Sequence, residues 1–170
     1  MSFLELAKER YSVRKFDSDR PIEEEKLAAI LEAGRLAPTA VNKQPQHIYV
    51  LRSEEALARI REITPCHYGA NVVLVVAYDE EKAWHNQMMP GYHSGEVDAS
   101  IVCTHMMMEA WDLGIGSCWV GMFTDEKMHA AFDLPATEHV CALLPLGYAL
   151  AEPGPQHTAS KTVDELVTVL

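Results

Sequence analysis

Cationic residues are scarce in this chain: 14 Lys and Arg stand against 25 Asp and Glu, for a formal net charge of −11. DNA and RNA need a basic face, so neither is expected as the main partner. Cysteine is sparse and dispersed. Cys66, Cys103, Cys118 and Cys141 contain no CxxC pair, so they read as buried or free thiols rather than a disulfide framework. No run of roughly 18 apolar residues occurs, which leaves no candidate membrane-spanning helix. Met1-Ser2-Phe3-Leu4-Glu5 lacks the basic-then-apolar order of a secretory signal, and cytoplasm is the expected compartment. Nucleotide motifs are missing too. There is no GxxxxGK[ST], and Gly114-Ile115-Gly116 follows a helical pattern and leads into a strand, the reverse of the Rossmann order. Gly114 is instead expected to cap the preceding helix in the left-handed conformation. His85, His93, Cys103 and His105 come nearest to a metal cluster, but their spacing matches no zinc signature and no metal site is expected. A GxSxG nucleophile elbow is also absent.

What is present is a chain of 170 residues with 48 % hydrophobic content, enough for one domain spanning 1–170 with a real core. Residues 2–9 read as a short helix. Pro21, followed by acids and by Ile22, Leu27, Ile30 and Leu31, predicts a helix over about 22–36 that Pro38 forbids from continuing. His47 to Arg52 is strand-like and Ser53 to Ile63 reads as a capped helix. Asn71 to Tyr78 is a continuous β-branched run, the pattern of a strand covered on both faces. Asp79 to Gly95 is polar and reads as a loop or lid. Val97 to Leu113 is apolar around nearly its whole circumference, which predicts a helix buried on most sides; Met106-Met107-Met108 there reads as core filler or as an adaptable apolar lining. Ser117 to Phe123 and Val140 to Tyr148 predict two further strands, and Val163 to Val169 a closing helix or an extended arm. Alternation of this kind on its own suggests a doubly wound α/β sheet.

Two polar constellations stand out. Arg10-Tyr11-Ser12-Val13-Arg14-Lys15 gathers three cations in an acidic chain. It is either a solvated stretch of loop or a seat for a phosphate, which the planar fork of Arg and a Ser hydroxyl would suit. The second runs from Ala37 through Pro38-Thr39-Ala40-Val41-Asn42-Lys43-Gln44 to Pro45. Its prolines fix an extended path, and Thr39, Asn42 and Gln44 supply a hydroxyl and two amides that both donate and accept. A capped polar loop and the binding edge of a flat heterocycle fit this pattern equally.

The two constellations, in register with two later ones, resemble the signatures of the FMN-dependent nitroreductase family. Arg10-x-Ser12-x-Arg14 followed by Phe16 is similar to its N-terminal R-x-S-x-R motif. Ala37 to Pro45 resembles A-P-S-A-x-N-x-Q-P, with Thr39 in place of Ser. Gly114 to Gly121 resembles G-[LI]-G-[ST]-x-W-[IV]-G, and Leu146-Gly147-Tyr148 before Pro153 and Pro155 resembles the late-strand element. The order and intervals agree over essentially the whole chain.

The resemblance implies an α+β, nitroreductase-like fold: a central, mostly antiparallel mixed sheet flanked by helices, in a homodimer whose long helices meet at the interface. The doubly wound expectation yields to it. FMN would lie at the dimer interface. Arg10, Ser12 and Arg14 would hold its phosphate and ribityl chain. Pro38, Thr39, Ala40, Asn42 and Gln44 would approach the isoalloxazine ring from the partner subunit, and Trp119, Val120 and Gly121 would pass near the flavin N5. Two positions depart from the pattern. Gln46 stands where many members carry an aromatic, and Ser160 where relatives place an Arg on the phosphate; the adjacent Lys161 is then expected to supply a cation without the bidentate fork.

Flavin chemistry needs no side-chain acid or base, so no catalytic residue is assigned. NADH or NADPH would transfer hydride to the flavin and leave, and a nitroaromatic or quinone would take the same place, a ping-pong scheme. Trp84, His85, Tyr92 and His93 in the 79–95 segment are the expected wall that selects substrates. The alternatives are another flavin reaction, such as dehalogenation or oxidation of a bound substrate, and a flavin-binding storage or redox-sensing protein without turnover.

Overall fold

The computed structural model describes residues 2–170. Its centre is an antiparallel sheet of four strands in the order β1-β2-β4-β3: β1 is Gln46–Leu51, β2 Val72–Asp79, β3 Gly116–Ser117 and β4 Glu138–Gly147. A parallel bridge between Ser12 and Ser117 adds the N-terminal segment beyond β3 and makes that edge mixed. The helices are α1 (Phe3–Glu9), α2 (Glu24–Leu36), α3 (Glu54–Ile63), α4 (Gly95–Asp112), α5 (Asp125–Phe132) and α6 (Val163–Leu166). The α+β architecture agrees with the expectation from the motifs; the doubly wound reading of the alternation fails, because every strand pair in the sheet is antiparallel.

The unbroken apolar run of β2 follows from its position between β1 and β4, with helices on both faces. Val72, Leu74 and Val76 pack in a core with Leu27 and Ile30 of α2 and Val102 and Met106 of α4. The alternate residues Val73 and Val75 join a second core with Leu57 and Ile60 of α3 and Met128 of α5. Side chains alternate across a strand, so one sequence run serves both layers. The second core also takes Val13 and Phe16, which seat the basic N-terminal segment against the sheet.

Several elements depart from the sequence reading. Helix α2 begins at Glu24, with Glu23 in extended conformation at its cap, where its carboxylate accepts the Tyr148 hydroxyl at 2.6 Å. The strand expected over Ser117 to Phe123 pairs regularly at only two residues; beyond it, Val120 makes an isolated bridge to Leu143. In the single chain, α4 buries one face, through Ala99, Val102, Cys103, Met106 and Ala110, and leaves the other uncovered. That open face carries a shallow groove of about 440 Å³ along Val97, Ser100, Ile101 and His105. Residues 84–94 form a small paired hairpin, with His85 bridged to His93 and Met88 exposed near its tip. Among the described residues, no helix is long and apolar enough to cross a membrane.

The end of α4 does follow from its sequence. Gly114 has φ +75°, its N–H reaches Trp111 O at 2.9 Å, and Ile115 N–H reaches Ala110 O at 2.8 Å. This is a Schellman cap, and it turns the chain directly into β3.

The start of β4 carries a titrating tie. The His139 ring lies 3.0 Å from Asp125 Oδ2 and 3.1 Å from Glu80 Oε2, joining α5 to the end of β2. The Asp125 hydrogen bond, helped by Glu80, holds the imidazole pKa above its ordinary value despite partial burial. A raised folded-state pKa gives stability that is complete below the unfolded value, about 6.5, and is lost as pH rises through the folded value. Urea unfolding between about pH 5.5 and 8.5 is therefore expected to show a decline above about pH 6.5 that His139→Gln lacks. Parallel profiles for the two proteins would refute this role.

Candidate functional site

The basic segment lies along the sheet edge because β3 permits unusually close approach. Val13 N–H donates to Ser117 O at 2.9 Å, and a Cβ on Gly116 would come within 2.6 Å of Val13 Cγ2. Glycine is thus required at position 116 for packing space. With Val13 turned into the core, Ser12 and Arg14 face away from it. A cleft of about 600 Å³ opens there, lined by Arg10, Ser12 and Arg14 on one side and by Gly154, Gln156 and His157 of the tail on the other. The Tyr11 hydroxyl donates to Ala151 O at 2.7 Å and holds the tail beside this segment.

The electrostatics of the cleft are set by what is left unpaired. Arg35, Arg52, Arg59 and Arg61 each meet a glutamate, and Arg20 stacks 3.3 Å from the Tyr148 ring centre. Among the described residues, Arg10 and Arg14 meet no carboxylate, although the chain has 25 acids. Their field reaches Cys118: burial pushes that thiol's pKa up, and Arg14, Ser12 and Arg10 oppose the shift. Two unpaired guanidinium groups beside a hydroxyl suit a phosphate. Ser117 adds a fully buried hydroxyl with no partner among the described residues.

Residues 38–44 line no part of that cleft within the single chain. They form a separate, strained loop: Val41, Asn42 and Gln44 have φ of +44°, +57° and +50°. For a β-branched residue such as Val41 this is a true outlier, and strain of this kind persists only where the surroundings enforce it. Thr39 Oγ1 accepts Gln44 N–H at 3.0 Å, and Gln44 Nε2 donates to Asn42 O at 3.3 Å, so part of the polar set expected to face a ligand holds the loop instead. The main anchor is Asp98 of α4, 2 % exposed. Its Oδ1 accepts Ala40 N–H at 2.9 Å and its Oδ2 accepts the Ser94 hydroxyl at 2.7 Å. Ser94 Oγ in turn accepts Trp84 N–H at 3.2 Å, and Ser94 N–H donates to Trp84 O at 2.9 Å. One buried carboxylate thus ties the strained loop to the 84–94 hairpin. Sequence reasoning missed Asp98, whose only signal is an acid in the first turn of a helix, a place it shares with Glu96.

The third predicted group follows β3. Val120 is buried and exchanges backbone hydrogen bonds with Leu143, both at 2.9 Å. Its N–H is therefore committed, whereas among the described residues the N–H groups of Trp119 and Gly121 have no partner within the chain. In the tail, Ser160 lines a second cleft with Lys8, Arg10 and His157, adjoining the first; Lys161 is exposed and lines neither. No group of three or more His, Cys, Asp or Glu able to hold a metal occurs among the described residues.

Fold and cleft together define a class: an α+β protein with unpaired cations at the edge of an antiparallel sheet. A family model described as the nitroreductase family matches residues 7–67 and 65–148. A relative from Methanothermobacter thermautotrophicus named "Putative NADH dehydrogenase/NAD(P)H nitroreductase" is 34 % identical over 165 residues, 91 % of this chain and 81 % of that protein. A solved nitroreductase family protein from Clostridium difficile has a TM-score of 0.93 at 33 % identity, covering 99 % of this chain and 98 % of its own. Another, from Exiguobacterium sibiricum and in complex with FMN, has a TM-score of 0.86 at 21 % identity, covering 100 % and 98 %, and shares the fold. This chain belongs to the nitroreductase family.

Proposed function

We propose that the protein is an FMN-dependent oxidoreductase that takes a hydride from NADH or NADPH and passes electrons to a small acceptor, a nitroaromatic or a quinone, by a ping-pong scheme. The observation that carries this reading is the pair Arg10 and Arg14, left without carboxylate partners beside Ser12 in a chain of net charge −11. That donor set fits a phosphate monoester; the FMN complex of one structural neighbour suggests the ligand, and the relatives' names suggest the electron donor. Bound FMN would supply hydride acceptance and electron delivery at one place, which no side chain here provides.

The chain's own residues bind and orient. Arg10, Ser12 and Arg14 hold the phosphate end. The unpartnered N–H groups of Trp119 and Gly121 offer hydrogen bonds toward the ring. Thr39, Asn42 and Gln44, on a loop that does not reach the cleft of its own chain, belong to the site of a second copy. That copy would cover the open face of α4, where Val97 and the groove beside it are otherwise exposed to water. The 84–94 hairpin, tied to the same loop through Ser94 and Asp98, is the wall that selects the acceptor.

The test is spectroscopic. The purified protein is expected to be yellow, or to quench added FMN, and anaerobic NADH or NADPH should bleach the flavin band until a nitroaromatic or quinone restores it. Uptake of FMN without bleaching by either nucleotide would establish the binding-protein alternative. Refusal of FMN would overturn the flavin reading itself.

A further inference from the structure

The tail brings one more unpartnered group to the cleft. Of the eight histidines, seven have a ring nitrogen hydrogen-bonded within the chain: His47, His67, His85, His93, His105, His129 and His139. His157 is the exception among the described residues, since only its backbone N–H is engaged, with Gly154 O at 3.0 Å. It is also the one residue of 149–170 that is not exposed. Its ring meets Tyr11 edge to face, with 5.8 Å between centroids, which places it against the basic segment. It lines the main cleft opposite Arg10, Ser12 and Arg14, and also the adjoining one that Lys8, Arg10 and Ser160 share.

We propose that His157 is a phosphate-binding residue of this cleft, its imidazolium acting as the third cationic donor beside Arg10 and Arg14. The inference rests on the flavin reading for the identity of the ligand and on the geometry above for the residue. Lys161, the cation expected for this role, lines neither cleft. The charged groups that line the two clefts with His157 are the cations Lys8, Arg10 and Arg14; the acid whose field reaches neighbouring Tyr11 is Glu152. A dianionic phosphate held beside the ring would favour the imidazolium form. Ligand binding and proton uptake by His157 are therefore linked, and each strengthens the other by the same factor. Two arginines cannot provide such a linkage, because guanidinium stays charged throughout the working range.

The experiment compares FMN dissociation constants of the wild-type protein and His157→Gln, which keeps a neutral donor of similar reach, from about pH 5.5 to 8.5 by flavin fluorescence quenching. The second ionisation of the FMN phosphate, near pH 6, affects both proteins and cancels in the ratio. The variant is expected to bind about tenfold more weakly at the acid end and to match the wild type at the alkaline end. In parallel, NMR titration of the imidazole, assigned by its loss in His157→Gln, should show its pKa rising on saturation with FMN or inorganic phosphate but not with riboflavin, which lacks the phosphate. A constant ratio near one, or no rise with either phosphate-bearing probe, overturns the assignment. Failure of FMN to bind at any pH overturns the flavin reading instead, and the inorganic phosphate titration then decides the role of His157 alone.

Discussion

Arg14→Ala is expected to weaken FMN binding by about 1.5–3 kcal/mol, roughly ten- to a hundredfold, while leaving the folded state almost as stable as before. The size follows from loss of charge-assisted hydrogen bonds to a phosphate. The selectivity follows from the side chain's situation: it is exposed and has no carboxylate partner among the described residues, so truncation breaks no ion pair. Arg59→Ala makes a useful contrast. Its guanidinium is engaged with Glu55 and with Ala131 O, so its loss should touch stability slightly and affinity not at all. Flavin titration together with apo-protein melting separates the two effects. Equal FMN affinity for Arg14→Ala and the wild type would remove Arg14 from the site.

Asp98→Ala should act in the opposite sense, on the scaffold first. Two hydrogen bonds to a carboxylate that is 2 % exposed disappear, and the Ala40 N–H and the Ser94 hydroxyl lose their acceptor. Each orphaned group costs about 1–3 kcal/mol, so about 2–6 kcal/mol of stability is expected to go, or about 4–24 °C in Tm. Affinity should fall as well, because the loop with Val41, Asn42 and Gln44 at positive φ loses the contact that pins Ala40. Asp98→Asn, which retains one acceptor oxygen of the same reach, should recover part of both losses. A melting temperature unchanged in the alanine variant would show that the loop is held by other means.

How far the sequence could lead depended on the range of the interactions. The β2 run and the Gly114 cap are local patterns whose outcome is decided within a few residues, and both are legible in the sequence; the R-x-S-x-R segment is seated by Ser117 and Ala151, far away in the chain. β propensity predicts a full-length strand after Gly116, but past Ser117 only Cys118 and Val120 reach β4, through Pro145 O and Leu143, and no regular ladder continues. At the site, motif positions were readable as residue types and not as duties. Thr39 spends its hydroxyl oxygen on Gln44 N–H, and Val120 its amide on Leu143. Asp98 and His157 had no motif at all; a buried acid and an unpartnered imidazole become conspicuous only when every neighbouring group's partner is known.

The pairing of Ser12 with Ser117, and of Tyr11 with Ala151, has a consequence for how the protein is made. Chains emerge from the ribosome N-terminus first, so Arg10 and Arg14 are made well before the residues that back and face them. Their backing strand arrives only after residue 117 and their facing wall only after residue 151. No nascent fragment that stops short of these can hold a phosphate in the manner described. Cofactor capture in this manner must follow synthesis of the wall at residues 154–157, and a chain cut short before Gly154 would leave a folded sheet with an open, one-sided seat.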